Sequence, residues 1–184
     1  MPPPEQCLHL DTPSDWVRRF AALLPAGGSV LDVACGGGRH LRWLLDRGFA
    51  VTGIDRDTRF VGDLTEHARI LTADLEDGSP WPVAGQTFDG IVVTNYLHRP
   101  LFPRLVEALT DGGVLIYETF ARGNEAYGRP RNPDHLLRDG ELLAAFAPPL
   151  QVVAYEHGVA DRCGGAKVIE RIACVKTDAP VPVG

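Results

Sequence analysis

Two aspartates and a glycine cluster are the residues whose types and spacing best fit chemistry. Asp32 lies near the end of the strand-like run Val30-Leu31-Asp32-Val33. Ala34-Cys35-Gly36-Gly37-Gly38 follows, and helical spacing begins at Leu41, Leu44 and Leu45. Glycines at a strand-to-helix turn let backbone N–H groups approach a ligand closely, because no Cβ stands in the way. A dinucleotide fingerprint counted from Gly36 and Gly38 needs a third glycine at position 41, where this chain has Leu41. A phosphate-cradling loop needs Gly-Lys followed by Ser or Thr, and no such step occurs. What remains is acidic-x-small-x-Gly-x-Gly. Its carboxylate suits a ligand with a cationic amino group and would repel a pyrophosphate.

A second acid supports that choice. Ala50-Val51-Thr52-Gly53-Ile54 reads as a short buried strand ending in Asp55. A carboxylate at the end of the second strand can accept both hydroxyls of a ribose. Together the two acids imply a nucleoside with a free 2′,3′-diol and an amino-acid tail. On these residues the chain resembles the class I S-adenosylmethionine-dependent methyltransferases, most clearly from Ser29 to Thr119. The family's first glycine is Ala34 here, a change that is costly only if the residue needs a positive φ.

The resemblance implies S-adenosylmethionine as cofactor. Asp32 and the backbone of Ala34, Cys35, Gly36 and Gly38 would hold its methionine end. Asp55, with Arg56 after it, would take the ribose; the competing reading makes Asp55 a helix cap for the segment that Arg56 begins. Ala73-Asp74-Leu75 stands where the family places a carboxylate near the adenine amine, and Asp74 reads equally well as a solvated turn acid beside Glu76 and Asp77. Asn95 and Tyr96 follow the fourth strand, at the edge where open α/β sheets bind ligands. The Asn/Asp-Pro-Pro-aromatic tetrapeptide of DNA amino-methyltransferases is absent.

Acceptor-side candidates are Tyr96, Tyr127, Arg129, His157 and Arg162. Tyr127 and Arg129 belong to the polar stretch Phe120 to Pro133, long enough for a lid. Its arginines would bind an anionic substrate or form a solvated face. Gly140-Glu141-Leu142 followed by a terminal hairpin resembles the small tellurite-resistance and thiopurine-type branch. Some members of that branch carry a His-Arg pair in the last turn; this chain has Asp161-Arg162, with His157 nearby. His9, His40, His67 and His135 show no ligand spacing, and Cys7, Cys35, Cys163 and Cys174 show no C-x-x-C step, so no metal is expected. His40 reads as a helix-start residue and Cys35 as packing.

The elements that must position these groups follow from periodicity. A helix begins near Ser14 with Trp16, Val17 and Phe20 on one face, a second runs to Arg47, and a short third spans Phe60 to His67. Strands are expected at Val30 to Val33, Ala50 to Asp55, Ile70 to Asp74, Phe88 to Asn95 and, after the turn Asp111-Gly112-Gly113, Val114 to Thr119. A helix covers Pro103 to Leu109 and another Gly140 to Phe146. Leu150 to Tyr155 and Lys167 to Lys176 then form a hairpin joined through Gly158 to Gly165. Alternating strands and helices imply parallel βαβ units. The fold class is therefore α/β: a doubly wound, mostly parallel seven-stranded Rossmann-like sheet with helices on both faces and a C-terminal antiparallel hairpin.

The 184 residues read as one methyltransferase domain, 1–184, with flexible ends at 1–11 and 178–184. Hydrophobic content of 45% and charged content of 23% are globular values, and a net charge of −6 makes a nucleic-acid partner unlikely. Four cysteines without a pairing pattern fit a reducing compartment. No apolar leader core follows Met1-Pro2-Pro3-Pro4-Glu5, and no run approaches a membrane span. The expected protein is cytoplasmic, with no membrane partner. It transfers methyl from S-adenosylmethionine to a small molecule such as a thiol or chalcogen oxyanion. The alternatives are an RNA or protein acceptor, or a binding protein without turnover.

Overall fold

The computed structural model describes residues 12–162 and 165–181, with Arg162 described by its backbone alone. Seven strands form one sheet in the order β3-β2-β1-β4-β5-β7-β6. These are β1 (Ser29–Val33), β2 (Ala50–Asp55), β3 (Arg69–Thr72), β4 (Phe88–Thr94), β5 (Leu109–Phe120), β6 (Gln151–Arg162) and β7 (Gly165–Val175). The first five run parallel, and β7 enters antiparallel between β5 and β6. This is the expected doubly wound sheet with its terminal hairpin.

Both sheet faces are buried because the strand side chains alternate between two cores. Leu31, Val33, Ile91, Val93, Leu115 and Tyr117 face α3 (Phe102–Glu107) and α4 (Glu141–Phe146), where Leu105, Leu142 and Phe146 meet them. Val30, Val51, Val92, Val114 and Ile116 face α1 (Asp15–Phe20) and α2 (Arg39–Leu45), which supply Trp16, Val17, Phe20, Leu41 and Leu44. Ser14 caps α1 through its hydroxyl, which accepts the Trp16 N–H at 3.1 Å. Gly140 has no side chain to cap α4, and buried Glu170 of β7 does so instead. Its carboxylate accepts the N–H groups of Gly140 and Leu142 at 3.2 and 2.6 Å.

Several elements differ from the sequence reading. Residues Phe60 to His67 do not form an α-helix; the segment is a 3-10 helix at Arg59–Leu64 whose Val61 and Leu64 press against the glycine turn. The helix expected to Arg47 ends at Leu45, and the one from Pro103 starts one residue earlier after a 3-10 turn at Arg99–Leu101. Asp111-Gly112-Gly113 does not precede the strand but bulges within β5. Leu109 pairs with Phe88 and Val114 with Gly90, so the intervening residues loop out. The largest departure is the hairpin, whose arms extend through Gly158 to Arg162 and back from Gly165. Glu156, His157, Gly158 and Val159 are exposed, so this edge carries no apolar alternation to read. Cys7, Cys163 and the outermost tails lie outside the described residues. Among the described residues, no helix is long and apolar enough to cross a membrane.

The glycine turn shows why glycine type matters position by position. A Cβ on Gly38 would lie 2.5 Å from Val61 Cγ1, and its φ of +77° is left-handed; a Cβ on Gly36, φ +52°, would meet nothing. Gly38→Ala should therefore cost ~2–4 kcal/mol of unfolding free energy, from overpacking plus backbone strain, and Gly36→Ala only ~1 kcal/mol. Urea titration of the two variants should show that order; equal losses would mean that Val61 yields freely.

Candidate functional site

A pocket of ≈ 690 Å³ opens at the carboxyl ends of β1 to β5. Strand order reverses between β1 and β4, and open α/β sheets bind ligands at such a reversal. Ala34, Asp55, Arg56, Ala73, Asp74, Leu75, Asn95 and Tyr96 line it, all of them sequence candidates. Asp32, Cys35, Gly36 and Gly38 do not.

Ala34 has φ 56° and Asn95 has φ 57°, the left-handed region in which alanine is strained. The substitution for the family's glycine thus falls where glycine would have been relaxed. Strain of ~1–3 kcal/mol at a residue persists only where its surroundings enforce it. Here the Cys35 N–H donates to Ile54 O and the Asn95 N–H to Glu118 O, both at 3.0 Å, so each strand end is bound to its outer neighbour.

The turn's donors are largely committed to the fold. Besides Cys35, the Gly36 N–H donates to Asp55 Oδ2 at 2.7 Å, and the Gly38 N–H to Cys35 O at 2.9 Å. The expected row of N–H groups facing a ligand is corrected accordingly: three of them close the turn. Cys35 points into the core beside Gly53, and burial, reinforced by the charges of Asp32 and Asp55, pushes its thiol far up. It is packing, not a nucleophile. Asp55 Oδ1 also accepts the Asp57 N–H at 2.9 Å, so the acid organises the turn and also lines the pocket. Asp74 Oδ1 accepts the Glu76 N–H at 2.9 Å, which makes it a turn acid that also lines the pocket.

Asp32 is buried, 1% exposed, beneath the turn. Burial pushes its carboxyl up to about 8, Asp55 adds to this, and Arg39 opposes it. His40 Nε2 accepts the Ser14 N–H at 3.1 Å, so its ring proton sits on Nδ1, 3.9 Å from Asp32 Oδ2. His40 is a helix-start residue, as the sequence reading had it. Tyr96 is half-buried and lines the pocket with Glu76. Burial, and then the Glu76 charge, keeps its phenol protonated, while Tyr117 holds its carbonyl at 3.0 Å.

The acceptor-side candidates fare differently. Tyr127 is 47% exposed, and neither it nor Arg129 lines the pocket. His157 is exposed on β6 opposite Glu170, away from the pocket; the Arg162 side chain lies outside the described residues. The Phe120 to Pro133 stretch is fastened instead of hanging as a loose lid. Buried Asn124 donates to Pro130 O at 3.0 Å and accepts the Val168 N–H at 3.2 Å, and Lys167 Nζ donates to Tyr127 O. The pocket residues that sequence reasoning missed are Glu76, Leu97, Thr119, Phe120, Pro130 and His135. Thr119 and Phe120 end β5 as Asp55 ends β2, and that position was the available signal. His135 carries no such signal.

Residues 30–113 match the family model described as "Methyltransferase domain". The tRNA U34 carboxymethyltransferase of Methylococcus capsulatus (strain ATCC 33009 / NCIMB 11132 / Bath) is 34% identical over 136 residues, covering 65% of this chain and 40% of that protein. The match thus spans about 40% of the length of this curated relative. Among solved structures, TehB from Haemophilus influenzae superposes with a TM-score of 0.69 at 18% identity, over 88% of this chain and 61% of that one. A SAM-dependent methyltransferase from Methanosarcina mazei gives 0.68 at 16% identity, over 90% and 99%. The class I methyltransferase resemblance and the seven-stranded sheet read from the sequence are borne out.

The position of Asp32 has a measurable consequence. Its folded pKa lies above the unfolded value, so the unfolded chain loses this proton first as pH rises. Stability therefore falls between about pH 4 and pH 8, with a slope of at most ~1.4 kcal/mol per pH unit. Asp32→Asn should flatten that decline and raise stability at pH 7 to 8 relative to the parent, by urea unfolding at several pH values. A variant less stable than the parent at pH 8 would show that the ionised acid is well paired in the free protein.

Proposed function

We infer that this chain, with its methyltransferase domain on the class I fold, binds S-adenosylmethionine in the switch-point pocket and transfers its methyl group. The observation that carries the reading is the charge of the pocket. Asp55, Asp74 and Glu76 ring one side, with Arg56 among them, and Asp32 lies beneath. Such a site attracts a sulfonium and an ammonium and repels a pyrophosphate. Leu41 at the third fingerprint position points the same way.

In this reading Asp55 accepts the ribose hydroxyls, and Ala73, Asp74 and Leu75 border the adenine. The left-handed turns at Ala34 and Asn95 flank the methionine end, where Asp32 contributes field rather than contact. The bound cofactor supplies an electrophilic methyl on a positively charged sulfur. The chain's own part is to orient donor and acceptor, an effect worth about 7–11 kcal/mol when alignment is good. Tyr96, Leu97, Thr119 and Phe120 form the wall on the acceptor side.

A small-molecule acceptor, such as a thiol, fits a pocket of ≈ 690 Å³ that shares its volume with the cofactor. One sheet carrying both hydrophobic cores supports a single domain. Buried free thiols at Cys35 and Cys174 support a reducing compartment such as the cytoplasm. A second reading, RNA as acceptor, draws on the tRNA-modifying relative and on exposed Arg129 and Arg131, the sequence neighbours of the pocket residue Pro130.

Calorimetry decides the cofactor. S-adenosylmethionine and S-adenosylhomocysteine should each bind at micromolar Kd, about −8 kcal/mol, with no heat from NAD. Heat from NAD and none from S-adenosylmethionine would overturn the reading. Asp55→Ala should weaken that binding by ~1.5–3 kcal/mol and, because Gly36 and Asp57 lose their acceptor, also lower the melting temperature. Loss of stability with unchanged affinity would leave Asp55 a purely structural acid.

A further inference from the structure

The titratable groups of the pocket divide between its two sides. Asp55, Asp74 and Glu76 stand on the cofactor side, where Asp55 is engaged by the Gly36 and Asp57 N–H groups and Asp74 by the Glu76 N–H. The phenol of Tyr96 stays protonated. On the opposite side, beside Phe120 and Pro130, His135 is the pocket's only imidazole among the described residues. A neutral imidazole has a basic lone pair near physiological pH, which makes histidine the usual general base at that pH.

The support behind His135 is specific. It sits in a 3-10 turn, Pro133–His135, entered by Asn132, whose side chain accepts the Asp134 N–H at 3.0 Å. Arg99 Nη1 donates to Asp134 O at 2.8 Å and Nη2 to Leu136 O at 3.0 Å, the carbonyls immediately before and after His135. The same guanidinium is held by Glu141, Nε to Oε1 at 2.5 Å and Nη2 to Oε2 at 2.9 Å, with Glu141 only 16% exposed. A planar fork gripping one carboxylate and two carbonyls fixes the backbone at 134 and 136, and residue 135 between them.

Resting on the cofactor reading above, we propose that His135 is the catalytic base of this site, positioned by the Arg99–Glu141 pair, and that the acceptor carries a proton on its nucleophile. In the step, the nucleophile's lone pair forms the bond to the methyl carbon as the carbon–sulfonium bond breaks. That bond's electrons remain on sulfur as a neutral thioether. The displaced proton passes to the free ring nitrogen of His135. The step is redox-neutral, and the acceptor class is a thiol, hydroxyl or N–H compound, not an oxyanion with a bare lone pair.

The charged groups around His135 are Asp134 beside it, Arg99 and Glu141 behind it, and Asp55, Arg56, Asp74 and Glu76 across the pocket. Asp32, beneath the pocket, is drawn into its ionised form by the ammonium that both ligands carry, so replacing S-adenosylhomocysteine with S-adenosylmethionine changes only the sulfonium charge. The histidine ring resonances of labelled protein, assigned with His135→Gln, should therefore titrate at least ~0.3 pH units lower in the S-adenosylmethionine complex. Arg99→Gln should abolish that separation while the calorimetric affinity stays within threefold. Identical His135 titration in the two complexes overturns the catalytic role by itself, and persistence of the separation in Arg99→Gln overturns the positioning role. Failure of both cofactors to bind removes the earlier reading, an outcome that calorimetry reports separately.

Discussion

The sheet turns back on itself between β1 and β4, and the site follows from that one constraint. β1 connects through α2 on one face and β4 through α3 on the other, so their backbones part at their carboxyl ends. The hydrogen bonds record the parting: Cys35 is tied outward to β2 and Asn95 outward to β5. To turn aside so sharply, Ala34 and Asn95 take left-handed conformations that cost an ordinary residue energy. The crevice between them is therefore built into the strand order and does not depend on any single ligand group.

The electrostatics build on that crevice. Asp55 stabilises the turn by accepting the Gly36 N–H, which brings a carboxylate to the pocket and leaves Asp32 enclosed beneath. An enclosed acid with a carboxyl pushed up to about 8 is poorly solvated in the free protein and gains most from an arriving cation. On the other side, the wall of Pro130 and His135 is set by a local bond from Asn124 and long-range bonds from Arg99, which hold it in place without ligand. Donor and acceptor sides are thus organised by different means, acids on one and a braced turn on the other.

The sequence was most legible where local order and strand topology coincide. Asp55, Asp74, Asn95 and Tyr96 lie just at or beyond strand ends, and parallel strands bring such residues to one edge whatever the details of packing. Asp32, Cys35 and Gly38 share that motif yet serve mostly the fold, because alternation and the Val61 contact turn them inward. His135 was invisible, since its place depends on Arg99, which is 36 residues away in sequence and reaches the carbonyls flanking it. Likewise the polar outer half of the β6–β7 hairpin resembles loop in composition, and only cross-strand pairing makes it a ladder.

The central claim is that a buried acid prepares this pocket for a cationic nucleoside, and proton exchange on binding tests it most directly. Titrating S-adenosylmethionine into the protein at pH 7 in two buffers of different ionisation heat measures the protons moved. The account predicts release of about one proton as the cation draws Asp32 into its ionised form, and none in Asp32→Asn. Tight binding with no proton released, or the same release from Asp32→Asn, would contradict it.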